Sequence, residues 1–577
     1  MSEQEQRANE MQLIMEQAVQ HLEAQYAGLE PPSTRALPAI EEMLPMTDGV
    51  SLRTVIQRPA GDGPFPTIIQ RSCYPHIESI HKAHAQAYAQ RGFAFVYQFC
   101  RGTGGSEGIW EPNVNDRSDG KVTLDWLDAQ PWTGSIGFLG SSYLAFTGWI
   151  TADILPPKVR TLYLTHYGTD RFVSAYQRGL FRVDVLTAWA MENAGKPIDA
   201  DFMESAAYCP QITVDENLWK VGELSWYRDW ITNTNRDDEY WKSGFWKMLK
   251  EIPGKIKVPL YLGASWYDHH LGSALQTWQD LSEETRTGST LRIGAWNHMF
   301  MPCLEGQKTE NLENSDTKTA FDWFCAYLRD KKPLKNGVLA YQIGADVWRE
   351  EPVYPFETGS AYRMYFSNKR GEEGYMLLKE PAQEGHISYT YNPENPVPTH
   401  GAESVLRHIE EAGSRLQFPC GYREDVISFM GEPMKESLEI LGEIEVALYV
   451  SSDAEDTSFN AKVMEVFPDG RAYNIRSSIA TLAYPNEKAV QRGTYKAGEV
   501  VQITIKMWDI FWKTRVGSKL RVDISSSDFP EYVAHTNTPG IWALQTSAKK
   551  AHQKLHFGQK YTAHVKIPLM RKTSQCQ

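Results

Sequence analysis

A serine at a predicted strand-to-helix turn is the feature of this sequence that points most directly to chemistry. An apolar stretch at 136–139 leads into Gly140-Ser141-Ser142-Tyr143, and an apolar, helix-compatible run follows at 144–150. Such a turn, called a nucleophile elbow, lifts one hydroxyl above the sheet edge and places the N–H groups of a helix N-terminus behind it. Gly-x-Ser is common by chance, and Leu144 stands where an elbow usually has a second glycine, so Ser142 needs independent support.

Asp268 and His298 are the residues that could complete a catalytic triad with Ser142. A serine nucleophile needs a base and a carboxylate that orients the base, and in α/β-hydrolases they follow in the order Ser, Asp or Glu, His. Each of the two residues comes directly after a strand-like segment that contains a glycine. His269 and His270 compete for the base role, but residues next to the proposed acid rarely face it well enough for this hydrogen bond. The alternative for Asp268 is a helix N-cap.

Two other motifs are weaker. The glycine-rich segment 101–108 follows a predicted strand but lacks the Gly-Lys-Ser/Thr ending of a phosphate-binding loop and the glycine spacing of a dinucleotide site. We interpret it as a rigid loop beside the active site, anchored by Arg101. Asp268-His269-His270 could suggest a metal, but adjacent histidines seldom ligate one ion and no HExxH motif supports it. We therefore expect neither a cofactor nor a metal.

The composition limits the classes of partner. The chain has 577 residues and a net charge of −13, which argue for several domains and against nucleic acid or an anionic membrane as partner. Its seven cysteines form no CxxC pair, a pattern typical of reduced thiols in a cytoplasmic protein. The first twenty residues are polar and acidic, and no apolar run approaches membrane-spanning length, so we expect no signal peptide and no membrane segment.

Strands and helices that alternate before and after the serine must position these residues. Strand patterns at 66–70 and 93–97 enclose a helical pattern at 83–91, and the spacing predicts another helix over 120–129 before the elbow strand. This order predicts a parallel sheet with helices on both faces, which carries ligands at the carboxyl ends of its strands. All the candidate residues fall at such ends. A hairpin with Asp48-Gly49 at its turn precedes this region, and the spacing predicts an N-terminal helix over 7–27.

Changes in the helix and strand patterns along the sequence predict five segments. Residues 1–39 form an N-terminal helical extension, and 40–167 form the first part of an α/β-hydrolase core. A tryptophan-rich stretch at 168–252 reads as a helical cap, after which strand patterns at 258–263 and 291–294 place the second part of the core at 253–364. Many short strand patterns without helices predict a jelly-roll β-sandwich over 365–577.

Together these segments resemble the CocE/NonD (cocaine esterase-like) hydrolases and the related X-Pro dipeptidyl-peptidases, from about residue 40 to the end. The resemblance rests on short motifs in the expected order. They are Arg71-Ser72-Cys73-Tyr74, the glycine loop 101–108, Gln130-Pro131-Trp132, Gly140-x-Ser142-Tyr143, Trp266-Tyr267-Asp268, Trp296-x-His298, and the C-terminal segments 395–399, 423–426, 452–457 and 467–471.

The resemblance implies an α/β-hydrolase core with an inserted helical cap and a C-terminal all-β jelly-roll domain. It implies Ser142 as nucleophile, His298 as base and Asp268 as the orienting acid. It also implies an oxyanion hole made of the Tyr74 hydroxyl and the Tyr143 backbone N–H. A phenol with a pKa of about 10 stays protonated at neutral pH and can donate to an oxyanion. The family pattern usually has glycine three residues after the serine, where this chain has Ala145.

The resemblance implies a serine hydrolase that cleaves an ester or amide bond of a small molecule without a cofactor. Tyr176 and Trp189 fall where it places aromatic walls of the acyl pocket, and packing in the core of the cap is the alternative for both. X-Pro dipeptidyl-peptidase, amino-acid ester hydrolase and β-lactam acylase activities stay open, as does a non-catalytic binding protein. A substrate with a free amine would need a carboxylate, and Asp170 and Glu192 are the candidates. The sequence leaves homo-oligomerisation and the physiological substrate open.

Overall fold

The computed structural model describes residues 3–312, 316–332, 334, 336–488 and 493–571; for residues 3–12 and 14 it describes the backbone alone. Cys576 lies outside the described residues. The six other cysteines are free, and four of them are buried. Among the described residues, no helix combines the length and the apolar character that crossing a membrane requires.

The N-terminal part of the chain alternates between strands and helices, as predicted. Its elements are α1 (Glu3–Ala27), β1 (Ile40–Pro45), β2 (Ser51–Gln57), β3 (Phe65–Ser72), α2 (Glu78–Ala89), β4 (Ala94–Phe99), α3 (Asp116–Ala129), β5 (Thr133–Ser141), α4 (Tyr143–Trp149) and β6 (Val159–Thr165). β1 and β2 form the predicted hairpin, with Gly49 at a φ of +88° in its turn. Helix α1 docks through its C-terminal half, where Tyr26 is buried and its hydroxyl lies 2.6 Å from His84 Nδ1.

A cap of short helices follows β6. It contains α5 (Arg171–Ala175), β7 (Tyr176–Gln177), β8 (Leu180–Phe181), α6 (Val183–Glu192), α7 (Phe202–Ala206), α8 (Val214–Asn217), α9 (Ser225–Thr232), α10 (Glu239–Lys242) and α11 (Gly244–Glu251). Each of these helices is too short to be stable alone, so the cap depends on packing between its elements, and aromatic rings provide much of it. Trp226 and Trp230 lie 5.0 Å apart between ring centroids, and Trp241 and Trp246 lie 5.6 Å apart.

The first sheet is completed after the cap. The elements are β9 (Leu260–Tyr267), α12 (Leu271–Asp280), α13 (Glu283–Thr287), β10 (Thr290–Asn297), α14 (Asp316–Phe324), β11 (Gly337–Gln342) and β12 (Val347–Glu351). The strand order is β1-β2-β4-β3-β5-β6-β9-β10-β11-β12, and every pair from β4 to β11 is parallel. This is the sheet of an α/β-hydrolase. It places the ends of β3, β5, β9 and β10 along one edge.

The C-terminal domain is all-β, as predicted. Its strands are β13 (Thr358–Arg370), β14 (Tyr375–Leu378), β15 (Gly385–Tyr391), β16 (Ile427–Met430), β17 (Glu439–Ser452), β18 (Ser458–Val466), β19 (Ala472–Thr481), β20 (Val501–Lys513), β21 (Lys519–Ser525), β22 (Ala551–Phe557) and β23 (His564–Met570). They form one hydrogen-bonded sheet in which β19 is the last strand. β20 pairs with β17, near the other end of the sheet, and β19 packs against β20. The rings of Phe366, Phe429 and Phe557 meet in its core.

The first strand of this domain begins before the predicted boundary. We predicted the domain from residue 365, whereas β13 starts at Thr358 and pairs with β23 from that residue. Its first four residues are exposed, so they lack the apolar alternation by which a strand is recognised in a sequence. The jelly-roll connectivity of the domain stays a prediction.

Asp184 joins the cap to the C-terminal domain. Its buried carboxylate, near the start of α6, accepts the backbone N–H groups of Leu406 (2.6 Å), Arg407 (2.7 Å) and His408 (3.2 Å). It also lies 2.6 Å from His408 Nδ1. One charged group thus captures three consecutive amides of a loop from the other domain. Hydrogen bonds to a charged, buried acceptor are among the stronger ones in proteins.

We expect Asp184→Asn to lower the free energy of unfolding by about 2–4 kcal/mol, because it removes the charge that these donors surround. Calorimetry should show a lower melting temperature, and hydrogen exchange should quicken at the amides of 406–408. The control is Asp199→Asn, which alters an exposed carboxylate of the same cap. Unchanged exchange at these amides would contradict the bridging role of Asp184.

Candidate active site

Ser142 lies at the turn between β5 and α4 with a backbone that few non-glycine residues adopt. Its φ is +55° and its ψ is −129°, a strained conformation that the surrounding structure must hold. The Ser142 N–H donates to the Thr165 carbonyl at 3.0 Å, which fixes the turn to the neighbouring strand β6. Gly140 allows the chain to reverse here, because a Cβ at that position would lie 2.4 Å from the Leu144 carbonyl oxygen. The methyl group of Ala145 is fully buried in this arrangement.

His298 connects Ser142 to Asp268. Its Nε2 lies 2.9 Å from Ser142 Oγ, and its Nδ1 is hydrogen-bonded to Asp268 Oδ2. The other carboxylate oxygen of Asp268 accepts the His270 N–H at 2.7 Å. Asp268 and His298 are buried, whereas Ser142 is half-exposed. Ser142 follows β5, Asp268 follows β9 and His298 follows β10. The sheet therefore brings the three predicted triad residues together, with the imidazole between the hydroxyl and the carboxylate as nucleophilic catalysis requires.

Asp268 is held in its charged form. Burial alone would raise the pKa of this carboxyl, but the His298 imidazole, which is hydrogen-bonded to it, outweighs the burial and holds the pKa below its ordinary value. An ionised carboxylate at Nδ1 keeps the Nδ1 proton on the imidazole, so Nε2 is left free to accept a proton from a hydroxyl.

The two histidines that competed for the base role do not bridge serine and acid. His270 Nδ1 lies 2.9 Å from Ser174 Oγ, and the His269 ring packs 4.5 Å from the His298 ring. Burial lowers the pKa of both imidazoles well below the ordinary value. We infer that they are neutral and that they pack around His298.

His166 is a neighbour of the triad that the sequence analysis missed. Its ring, Asp268 and His298 each offer an atom within 4.8 Å of the others, a spacing that could hold a metal ion. However, Asp268 and His298 bond each other, and His166 Nε2 accepts the Trp296 indole N–H at 3.2 Å. Burial lowers the pKa of His166 to about 4. Because Asp268 and His298 are already bonded to each other, we interpret His166 as packing behind the base.

Tyr74 and Tyr143 lie together beside the elbow. Tyr74 follows β3, and its hydroxyl oxygen accepts the Trp189 indole N–H at 2.9 Å. Burial raises the pKa of Tyr74 well above its ordinary value, so the phenol stays protonated. Tyr143 is the first residue of α4, and backbone N–H groups of a first helical turn have no carbonyl partner within the helix.

The Tyr143 side chain is fixed at its hydroxyl group and at its ring. Its hydroxyl donates to Asp116 Oδ2 at 2.7 Å and accepts the Asn113 N–H at 2.8 Å. Its ring stacks on Trp189, with centroids 5.8 Å apart and an interplanar angle of 15°. Asp116 thus supports the residue whose N–H is the predicted oxyanion donor. No motif in the sequence indicated Asp116, because the contact depends on the loop that follows β4.

The two predicted aromatic walls have different positions. Trp189 is half-buried and touches both Tyr74 and Tyr143, which places it at the site. Tyr176 is buried in the cap, where its hydroxyl donates to the Trp230 carbonyl at 2.8 Å and its ring stacks on Phe172. It also lines a cleft of about 1020 Å³ between the cap, α12 and the C-terminal domain, whose lining does not include Ser142. These contacts fit the core-packing alternative for Tyr176.

The two carboxylates considered for a substrate amine are both engaged by cations. Asp170 is buried and bonds Arg236 Nη1 at 3.0 Å and Lys250 Nζ at 2.9 Å. Burial alone would raise its pKa, but the two cations outweigh the burial and hold the pKa below the ordinary value. Glu192 is exposed and lies 4.0 Å from Arg407 Nη1, and desolvation by its neighbours raises its pKa. Glu192 lies near the site, because it follows Trp189 by three residues on the same helix α6.

The glycine-rich segment forms an anchored loop beside the elbow. Arg101 makes ion pairs of 2.7 Å with both Asp48 and Asp119. Gly102 packs so closely that a Cβ would lie 2.2 Å from the Trp110 backbone nitrogen. The Trp110 ring lies 5.5 Å from the Tyr143 ring, between centroids.

Comparison with known proteins gives consistent matches over most of the chain. The family model for X-Pro dipeptidyl-peptidase (S15 family) matches residues 48–300, and the model for the X-Pro dipeptidyl-peptidase C-terminal non-catalytic domain matches residues 330–566. Cocaine esterase from Rhodococcus sp. (strain MB1 Bresler) is 28% identical over 573 residues, which cover 92% of this chain and 98% of the relative.

Two solved structures share the fold along nearly the full length. An aminopeptidase from a marine sediment Thaumarchaeota archaeon superposes with a TM-score of 0.79 at 20% identity, covering 94% of this chain and 98% of the other. An α-amino acid ester hydrolase superposes with a TM-score of 0.77 at 20% identity and the same coverage. These likenesses include the core, the cap and the all-β domain.

Proposed function

Because this chain belongs to the CocE/NonD hydrolases, which are related to the X-Pro dipeptidyl-peptidases, we propose that it cleaves an ester of a small molecule through an acyl-enzyme on Ser142. The observation that carries the proposal is the single imidazole of His298, which contacts Ser142 Oγ at 2.9 Å and Asp268 through its other nitrogen. A binding protein without catalysis has no need for this arrangement at a strained elbow.

The reaction follows from these positions. His298 Nε2 takes the proton of Ser142 as Oγ attacks the ester carbonyl, and Asp268 stabilises the imidazolium that forms. The oxyanion receives hydrogen bonds from the Tyr74 hydroxyl and the Tyr143 N–H. The intermediate then collapses, the C–O bond to the alcohol breaks, and His298 returns its proton to the leaving oxygen. Water, activated by the same imidazole, hydrolyses the acyl-enzyme and regenerates Ser142.

Trp189 supports the role of Tyr74 as a donor. A phenol hydroxyl can both donate and accept, and the Trp189 N–H occupies an acceptor position of Tyr74. The Tyr74 proton is therefore available for another partner, and burial keeps it on the oxygen. Preorganised donors of this kind contribute more in a site that excludes water than they would in solvent.

The charges near the site favour esters without an α-amino group. A peptidase or amino-acid ester hydrolase must bind an ammonium group with a carboxylate, and Asp170 already faces two cations. The residues after Asp268 are the neutral His269 and His270. Glu192 remains near the site, but it faces Arg407. We therefore rank ester hydrolysis above the X-Pro dipeptidyl-peptidase and acylase alternatives.

We also propose that the protein works in the cytoplasm. The six described cysteines are free, and burial raises the pKa of those at 73, 100, 303 and 325, so these thiols are unreactive. Free cysteines without disulfide partners are typical of a reducing compartment.

Ser142→Ala should abolish covalent labelling by a fluorophosphonate probe, because this probe reacts with an activated serine. Intact-protein mass spectrometry would measure the adduct, and peptide mapping would locate it. Ser141→Ala is the matched control, since it removes the neighbouring hydroxyl at the end of β5 and should label at the wild-type rate. Labelling that persists in Ser142→Ala would overturn the assignment.

Tyr74→Phe should lower kcat by about 10²–10³ with little change in KM, the usual loss for one oxyanion donor. Trp189→Phe keeps a ring over Tyr143 but removes the indole N–H, so we expect a smaller loss in kcat of about tenfold. Steady-state hydrolysis of a p-nitrophenyl ester measures both. Trp226→Phe, a cap tryptophan 6.0 Å from Trp189, is the control. A Trp189→Phe variant that changes KM alone would contradict the positioning role.

Phenylacetyl and phenylglycyl esters of one alcohol test the amine question, because they differ only in an α-ammonium group. We expect kcat/KM to be about tenfold or more higher for the phenylacetyl ester. The ammonium group of the phenylglycyl ester would lose water on binding, and the site has no free carboxylate to pair with it. Preference for the phenylglycyl ester, lost in Glu192→Gln, would instead establish Glu192 as the amine-binding residue.

A further inference from the structure

The turn that follows His298 presents two methionines to solvent. Met299 is 59% exposed and Met301 is 46% exposed. Asn297 clamps the turn, because its Oδ1 accepts the N–H of Met299 at 3.0 Å and that of Met301 at 3.2 Å. The Asn297 N–H also donates to the Met301 carbonyl at 3.0 Å. These side chains are thus exposed on an ordered turn, next in sequence to the base.

Phe300, between the two methionines, anchors the turn inward. Its ring packs 4.1 Å from the His166 ring and 6.1 Å from the Trp296 ring, between centroids. Its φ is +58°, a conformation that a bulky residue adopts only where the surrounding contacts impose it. The turn therefore half-buries one apolar side chain behind the triad and leaves its two neighbours exposed.

The chemistry assigns this side of the site to the leaving alcohol. His298 Nε2 must reach the oxygen of the departing alcohol to return its proton, so that alcohol lies on the imidazole side of Ser142. The oxyanion lies on the other side, toward Tyr74 and the Tyr143 N–H. Met299 and Met301 follow His298 directly, in a turn held by Asn297, so this turn is the segment of the chain next to the base.

Apolar side chains are exposed on the opposite side of the elbow as well. Ile109 and Val114 are 83% and 55% exposed in the loop that follows β4. In the sheet, β4 and β10 lie on opposite sides of β5, which carries the nucleophile. Exposed apolar residues are ordinary when scattered, but two on each of the loops on either side of a reactive serine are available to contact a substrate.

We propose that Met299 and Met301 bind the alcohol part of the ester, and that the preferred substrates are esters of apolar alcohols of several carbons. This inference rests on the proposed function. Methionine is unbranched and polarizable, and it adapts to ligands of different shape, so this turn would accept a range of apolar alcohols. Complete burial of one methylene group corresponds to about a fourfold change in an equilibrium constant, and contact with a half-open turn would give less.

A series of acetate esters from ethyl to hexyl tests the proposal, because these alcohols differ in size and hardly in acidity. For the wild type, we expect kcat/KM to rise about twofold per methylene. The double variant Met299→Ser/Met301→Ser should flatten this dependence, and Met299→Leu/Met301→Leu should restore it. Met203→Ser, a 40%-exposed methionine of the cap, should leave the dependence unchanged.

Fluorophosphonate labelling separates this proposal from the proposed function. The leaving group of a fluorophosphonate is fluoride and not an alcohol, so Met299→Ser/Met301→Ser should label at the wild-type rate. Labelling at that rate also shows that the variant is folded with an intact triad. An unchanged chain-length dependence in a double variant that labels normally would overturn the role of the methionines. Absence of hydrolysis for every ester, together with labelling of Ser142→Ala, would instead overturn the proposed function.

Discussion

The strained backbone of Ser142 is the constraint on which the rest of the site depends. A serine at a φ of +55° is costly by itself, and it persists because strands on both sides determine the path of the chain. The hydrogen bond from Ser142 N–H to the Thr165 carbonyl joins the elbow to β6, and Gly140 leaves room for the Leu144 carbonyl. The same bend places the Tyr143 N–H at the start of a helix. Nucleophile and oxyanion donor are thus products of one turn.

The parallel sheet then brings the two other triad residues to this turn. β9 is the second strand from β5 and β10 is the third, so their carboxyl ends lie about 10 and 14 Å from the elbow at the usual spacing of strands. Side chains of the size of aspartate and histidine cannot close that distance alone, so the chain after β9 and β10 must also lead back toward β5. His298 has to reach farthest, and its ring is packed by His166 and His269. Neutral, buried neighbours hold the base without competing for Asp268.

The sequence predicts those parts of the site that follow from local pattern and chain order. Ser142, Asp268 and His298 each come directly after a buried strand, and the ends of parallel strands meet at one edge. The contacts of Tyr176 with Trp230 and of Asp116 with Tyr143 depend instead on how short cap helices and a long loop fold in three dimensions. An apolar pattern within a short helix does not tell which other segment its side chains contact, so these partners are not recognisable in the sequence. The start of β13 was missed for a similar reason, since its first residues are exposed.

Helix α6 links the C-terminal domain to the oxyanion donors. Asp184, at the start of this helix, holds three amides of the C-terminal domain, and Trp189, later in the same helix, donates to the Tyr74 hydroxyl. A helix of this length is too short to be stable alone, so its position depends on what its two ends contact. The C-terminal domain contributes no triad residue, yet it fixes one end of the element whose other end orients Tyr74. It follows that the all-β domain is part of the support of the active site.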